Sequence, residues 1–299
     1  MKYIPDYGLF FVHVPKCAGT SLQKALDLEE ARYTEFAADL GLSEGEAARL
    51  TLSSRHQGDG EVKRQGGYVH PKLGPIHPVH LPLNYIEAEM PQTWAALRDA
   101  PYSFAVTREP RSRFLSALMQ RMREFGDHEA LRVDDPRVRD EAARVCDWLA
   151  ARDMFCDREY IHFTRQIDFA ELDGTRIIKA HFPMERTAAL SRWIADQTGL
   201  QIEIPETHAR RQPKRWGKMV QPAARFVGRT LMPKQLRKAL HPIWMGSGAF
   251  TNAKSAYSTV DLGADVEGFA ATYYARDAAL HAEAQVRVEA LQNAAQKTG

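Results

Sequence analysis

Residues Phe10-Phe11-Val12-His13-Val14-Pro15-Lys16-Cys17-Ala18-Gly19-Thr20-Ser21-Leu22 constrain this chain more than any other stretch. An apolar, β-rich run stops at Pro15-Lys16, passes through small residues and Gly19, and resumes as a helical pattern at Thr20-Ser21. A strand, a tight loop and a helix N-terminus in that order form an anion cradle. Successive backbone N–H groups face the loop, and the helix dipole places partial positive charge there. Lys16 adds a full charge, and the Thr20 and Ser21 hydroxyls can donate to an oxyanion, so a phosphate- or sulfate-bearing ligand is expected. The plainer alternative is an ordinary strand-to-helix turn capped by Thr20 or Ser21. The loop also differs from the G-x-x-x-x-G-K-[ST] nucleotide motif, where the lysine follows the second glycine; here Lys16 precedes Gly19.

A second segment repeats the pattern. Tyr102 to Thr107 reads as a buried strand, Arg108-Glu109-Pro110-Arg111-Ser112-Arg113 follows at once, and Phe114 onward is helical. Arg108 therefore ends a strand, at the edge where open α/β sheets bind ligands. An arginine there needs an anionic partner or a route to water. Ser116 lies about two helical turns further on and can meet the same anion. At least one of Arg111 and Arg113 is expected to be a solvated surface charge.

The two segments, HVPKCAGTSL and TREPRSRFLSAL, resemble the cofactor signatures of sulfotransferases that use 3′-phosphoadenosine-5′-phosphosulfate (PAPS). The nearest branch is the carbohydrate group with the heparan 2-O- and chondroitin enzymes, here in a bacterial-type soluble form. The resemblance is strong over residues 9–26 and 102–118. It implies that Pro15, Lys16, Cys17, Ala18, Gly19, Thr20 and Ser21 hold the 5′-phosphosulfate and that Arg108 and Ser116 hold the 3′-phosphate. Tyr273-Tyr274-Ala275-Arg276-Asp277-Ala278-Ala279-Leu280 resembles the Y-x-x-D-x-x-L helix of the family's C-terminal region. A His-x-Asn pattern often precedes that helix; the nearest candidate here, His208-Ala209-Arg210-Arg211, lacks the Asn.

Sulfuryl transfer moves SO₃ from a phosphate oxygen to a hydroxyl with the attacking and leaving oxygens in line, and by analogy with phosphoryl transfer the protein positions reactants and stabilises charge. Lys16 beside the bridging oxygen would favour the transition state over the ground state. No metal is called for, because Lys16, backbone N–H groups and hydroxyls meet the leaving phosphate. For the base the sequence offers His70, His77 and His80. In the resembling enzymes a catalytic histidine lies between the two motifs, ahead of an apolar turn. His80, in His80-Leu81-Pro82-Leu83, matches that place best, with His77 as the alternative and His70 read as a loop residue. A metal site is the competing account of the cluster, without a Cys or carboxylate at zinc spacing to support it. Two other functions compete. One is a P-loop kinase or nucleotide hydrolase, which lacks here the Gly-Lys-Ser/Thr end of its loop. The other is a non-catalytic anion binder that keeps only the cradle.

The 299 residues, 44% of them hydrophobic, suffice for one α/β domain. The expected fold is a P-loop-like parallel sheet flanked by helices, a single domain over residues 1–299 with helical and loop insertions. Helices are expected over 33–53, 112–125, 137–151, 155–166 and 265–294. A further helix should carry Leu190, Trp193, Ile194 and Gln197 on one face and stop at Gly199. Arg176 to Ala180 reads as a short strand, and 55–81 as a long, functional loop. No apolar run approaches the roughly 18–20 residues of a membrane span. The apolar stretch before the cradle is too short for a signal peptide, and Cys17, Cys146 and Cys156 make no disulfide framework. A cytoplasmic protein is expected, unlike the Golgi-anchored animal enzymes.

The formal charge of +2 hides a segregation. Thr207 to Val260 carries eleven Lys/Arg and no Asp or Glu, while the remainder has nine more acidic than basic residues. Trp216, Phe226, Leu231, Leu240 and Trp244 are interleaved with these charges. This basic insertion, at about 207–260, suits a solvated face, peripheral contact with the anionic inner face of a membrane, or a polyanionic acceptor. No nucleic-acid motif accompanies it. The expected acceptor is a hydroxyl on a carbohydrate or glycolipid, selected by this segment and the 55–81 loop.

Overall fold

Leu9, Phe10, Phe11 and Val12 are all buried, as a strand covered on both faces requires, and form β2 (Leu9–Val12). β2 runs parallel to β5 (Tyr102–Thr107), with Val12 opposite Ala105. β5 runs parallel to β8 (Ala180–Pro183), with Thr107 opposite Pro183. β1 (Lys2–Ile4) closes the other edge antiparallel to β2, giving the order β1-β2-β5-β8. The sheet is thus parallel through its centre with one antiparallel edge. This computed structural model describes residues 1–28, 31–52, 68–126, 132–204, 211–213, 250–252, 257 and 260–297.

The chain divides into two compact units. The first comprises Met1–Leu131, Asp135–Glu206 and Leu262–Gly299, and holds the sheet. Around it lie α1 (Gly19–Ala25), α2 (Thr34–Leu40), α3 (Glu44–Leu52), α4 (Leu83–Glu89), α5 (Pro91–Asp99), α6 (Pro110–Glu124), α7 (Pro136–Ala150), α8 (Thr187–Thr198), α9 (Ala264–Tyr273) and α10 (Ala275–Lys297). Its core is aromatic where α8 meets the sheet. Trp193 packs edge-on to Phe104 and tilted against Phe182, and Phe104 stacks on Phe11 with ring centroids 5.2 Å apart. Two proline-led helices start where a carboxylate caps them. Glu109 accepts from the N–H groups of Arg111 and Ser112 at α6, and Asp135 from that of Arg137 at α7. The second unit comprises Arg132–Asp134 and Thr207–Asp261, and in it β9 (Arg211–Pro213) pairs antiparallel with β10 (Phe250–Asn252). Most of the basic segment, including His208, Trp216 and Trp244, lies outside the described residues, as do 53–67 of the expected loop.

Several local expectations need correction. No α-helix spans 155–166; Ile161–Phe163 and Gln166–Phe169 are two 3-10 turns. Side chains from elsewhere claim their backbone groups. Arg113 takes the carbonyls of His162 and Thr164, Tyr274 that of Phe163, and Asp277 the N–H groups of Gln166 and Ile167. The core strand is β8 rather than Arg176–Ala180, because β7 (Thr175–Arg176) folds back on β6 (Glu171–Leu172). The C-terminal helix breaks at Tyr274, whose buried hydroxyl serves Phe163. On α8 the buried face is Ala189, Leu190, Trp193 and Ile194, with Gln197 exposed, and Gly199 in the left-handed conformation ends the helix. Within 68–80 the chain is ordered as a hairpin, β3 (Tyr68–His70) with β4 (Gly74–Ile76), and a 3-10 turn at Pro78–His80.

Candidate active site

Because β2 and β5 run parallel, the residues following both emerge at one edge of the sheet. After β2 the chain turns through Lys16 (φ 66°) and Ala18 (φ 58°) before α1 begins at Gly19. Left-handed geometry costs a non-glycine residue about 1–2 kcal/mol, so the loop is held in shape by its surroundings. The holding contacts are visible. The buried Arg108 guanidinium, 8% exposed, donates to the Lys16 carbonyl at 3.2 Å, and Arg113 Nε donates to that of Pro15 at 3.0 Å. Gln166, fully buried, accepts from the Arg108 N–H at 2.8 Å and from Cys17 Sγ at 3.3 Å, and returns a bond to the Arg108 carbonyl.

Gly19 is required by close approach. A Cβ there would lie 1.6 Å from Nε2 of His13, whose ring is buried and whose Nδ1 meets the Gln23 amide at 3.2 Å. Lys16 Nζ donates to Gln120 Oε1 on α6. Ser116, half-buried, stands one turn earlier on that same face of α6. The two sequence motifs are therefore joined directly at Lys16–Arg108 and through α6. Within the loop Ser21 is buried and Thr20 exposed. Cys17 is a hydrogen-bonded filler, its thiol pushed up to about 11 by burial and so protonated at neutral pH.

Four imidazoles gather beside the loop. His13 and His80 have ring centroids 4.3 Å apart, His80 and His162 5.5 Å, His77 and His80 6.0 Å, and His77 and His162 5.9 Å. Burial before all else brings His77 down to about 4 and holds His13, His80 and His162 well below their ordinary range. Lys16 is near enough to depress His13, His80 and His162 further. All four are neutral at pH 7. A hydrogen bond to the His13 backbone partly offsets burial at His80, while His80 Nδ1 is buried with no hydrogen-bond partner among the described residues. His70 stands apart: its Nδ1 accepts from the N–H groups of Lys72 and Leu73 in the hairpin turn. Among the described residues no group of His, Cys, Asp or Glu is arranged to hold a metal ion.

Arg111 and Arg113 are both paired, contrary to expectation. Arg111 holds Glu267 in a two-pronged bond of 2.6 and 2.9 Å, and Arg113, 1% exposed, faces Asp277. Sequence reasoning also missed His13, Gln120, His162 and Gln166. His13 carried a signal, as a polar ring ending an apolar strand. The other three act through distant backbone or loop contacts that no local pattern announces. A separate cavity of about 420 Å³ opens beside Arg121, Phe125, Arg137, Glu141, Arg144 and Tyr160. Its charges are already matched, Arg121 by Glu141 and Glu159 and Arg144 by Glu141. Among the described residues no helix is long and apolar enough to cross a membrane.

No curated protein and no solved structure matches the chain. The model of the sulfotransferase family does, over residues 1–246, a span that takes in the strand-loop-helix cradle, the Arg108 strand end and the histidine cluster. By that match the chain belongs to the sulfotransferase family, whose chemistry is sulfuryl transfer to hydroxyl acceptors.

Proposed function

We propose that the protein transfers the sulfuryl group of PAPS to a hydroxyl of a carbohydrate or glycolipid. The observation that supports this reading is the bond from the Arg108 guanidinium to the Lys16 carbonyl, which ties the Arg108 strand end to the cradle loop. PAPS supplies an activated sulfuryl group on a phosphate leaving group. The loop from Pro15 to Ser21 would hold its 5′ end, and Arg108 and Ser116 its 3′-phosphate. Lys16 would exchange its neutral Gln120 partner for the charge that develops on the leaving oxygen, which is where a fixed cation lowers the barrier. His80 is the proposed base, since it is neutral at pH 7 and its Nδ1 has an unused lone pair; His77 is the alternative. Residues 1–299 are read as one catalytic domain, with the basic insertion at about 207–260 facing the acceptor or an anionic membrane surface from the cytoplasm.

The test is calorimetric titration with adenosine 3′,5′-bisphosphate, 5′-AMP and Mg-ATP in parallel. The bisphosphate should bind tightest, with a marked loss when the 3′-phosphate is removed. Preference for Mg-ATP would make the protein a kinase or nucleotide hydrolase instead, and binding of none of the three would leave only an inactive cradle.

A further inference from the structure

His80 is not alone in carrying an idle buried nitrogen. His162, in the turn Ile161–Phe163, is 4% exposed, and its Nδ1 also has no hydrogen-bond partner among the described residues. The two rings lie edge to face, 5.5 Å between centroids, although their segments are remote in sequence. An unsatisfied buried polar atom costs about 1–3 kcal/mol, and two on adjacent rings of a reaction site call for a physical account. His162 is also fixed from outside the cluster, because Arg113 Nη2 holds its carbonyl at 3.3 Å and that of Thr164 at 2.6 Å. These bonds hold the backbone from which the ring projects.

We propose that His162 is the second proton-handling group of the site: the proton that His80 Nδ1 takes from the attacking hydroxyl passes to His162 Nδ1, directly or through one water. The inference rests on the reading of His80 as base. As the new O–S bond forms and the S–O bond to the leaving phosphate breaks, the hydroxyl proton moves to His80. Its onward transfer to His162 returns His80 to the neutral form, and the proton is released to solvent as the products leave. The surroundings favour such sharing. At neutral pH Lys16 repels a charge on either ring and Arg113 repels one on His162, so neither ring keeps the proton for long. The hydrogen bond to the His13 backbone is the contact that favours a charged His80. Facing so much positive charge, the pair can hold one proton at a time and must titrate as a unit.

The experiment is an NMR titration of ¹⁵N-histidine-labelled protein with adenosine 3′,5′-bisphosphate bound, in the wild type and in His162→Asn. Asn keeps a hydrogen-bonding atom near the Nδ1 position and cannot take a proton. The wild type should show His80 and His162 titrating in linked steps, and the variant a single step for His80 at a shifted pH. Turnover of ³⁵S-labelled PAPS, with water as acceptor where no saccharide is used, should fall at least tenfold in His162→Asn at unchanged bisphosphate affinity. In the His80→Ala background the second substitution should cost less than twofold further. Independent titration of the two rings, or additive losses, overturns the inference. If His162→Asn does not fold, the wild-type titration alone decides. Full turnover by His80→Ala would sink the base assignment instead, which is a distinguishable result.

Discussion

Arg113 Nη1 and Asp277 Oδ2 face each other at 3.9 Å in the interior, with side chains 1% and 0% exposed. Each partner also serves the site through the main chain. Arg113 holds the Pro15 carbonyl at the mouth of the cradle, and Asp277 accepts from Gln166 N at 2.8 Å and Ile167 N at 3.0 Å. Burial raises Asp277 to about 6, against the attraction of Arg113 and its two N–H bonds. The carboxylate is thus ionised at neutral pH and increasingly neutral below 6. A carboxyl whose pKa is raised on folding contributes stability that is full below its unfolded value and lost as pH rises through the folded one. Independently of that linkage, Asp277→Asn should destabilise by about 3 kcal/mol at neutral pH, because it leaves the buried Arg113 without its countercharge. By that linkage the wild type gains stability as pH falls toward 5 while the neutral Asn does not, so the penalty should be larger at pH 5 than at pH 7. Denaturant melts at both pH values check this; an equal penalty at both would mean Asp277 stays charged throughout.

His80→Ala should lower transfer by about 10²- to 10⁴-fold while leaving bisphosphate affinity within a factor of about two. The same assay on His77→Ala should show a smaller loss. A larger loss for His77→Ala would exchange the roles of the two histidines.

Since burial holds His80 well below its ordinary range, kcat/KM should stay level from about pH 8 down to about 6 and fall only below that. An acid limb near the ordinary histidine value would place the base outside the cluster. The same shifts carry a stability consequence. His77 is depressed to about 4, so below about 6.5 the unfolded chain binds protons that the folded one refuses, and stability should decline with falling pH.

Arg108→Ala should weaken adenosine 3′,5′-bisphosphate by roughly 10- to 100-fold, the range of a charged hydrogen bond. It should weaken 5′-AMP far less. Equal losses for both ligands, measured by calorimetry, would show Arg108 acting on the loop rather than on the 3′-phosphate.

Gly19→Ala should destabilise the protein by about 1–3 kcal/mol, because its Cβ would run into the His13 ring. His13→Ala should make room, so the double variant should melt no lower than His13→Ala alone by more than a few tenths of a kcal/mol. Thermal melts of the three variants settle whether that one contact explains the glycine.

The strand-loop-helix over residues 9–25 and the strand-to-helix passage around Arg108 were legible because each is written contiguously, as an apolar strand, a proline and a helical restart. The antiparallel edge at β1 and the exact core strand β8 were not. The strands of three and four residues that form them carry too few side chains to show a period. The turns at 161–169 misled for a different reason, since their shape is imposed by Arg113, Tyr274 and Asp277 rather than by their own residues. Arg113 shows the limit most clearly. Read alone it is one of several arginines on a helix; only the arrival of α10 makes it a buried strut.

That strut also sets an order of events during synthesis. Pro15 is tied to Arg113, and Arg113 to the Asp277 carboxylate of α10, which also fixes the segment carrying Gln166. A ribosome delivers residues from the N-terminal end, at about 5–20 per second. The cradle must therefore wait, exposed, until α10 has been made and can supply its last support. A nascent chain halted before α10 should carry an unfinished cradle, so ligand capture becomes a report that α10 has docked.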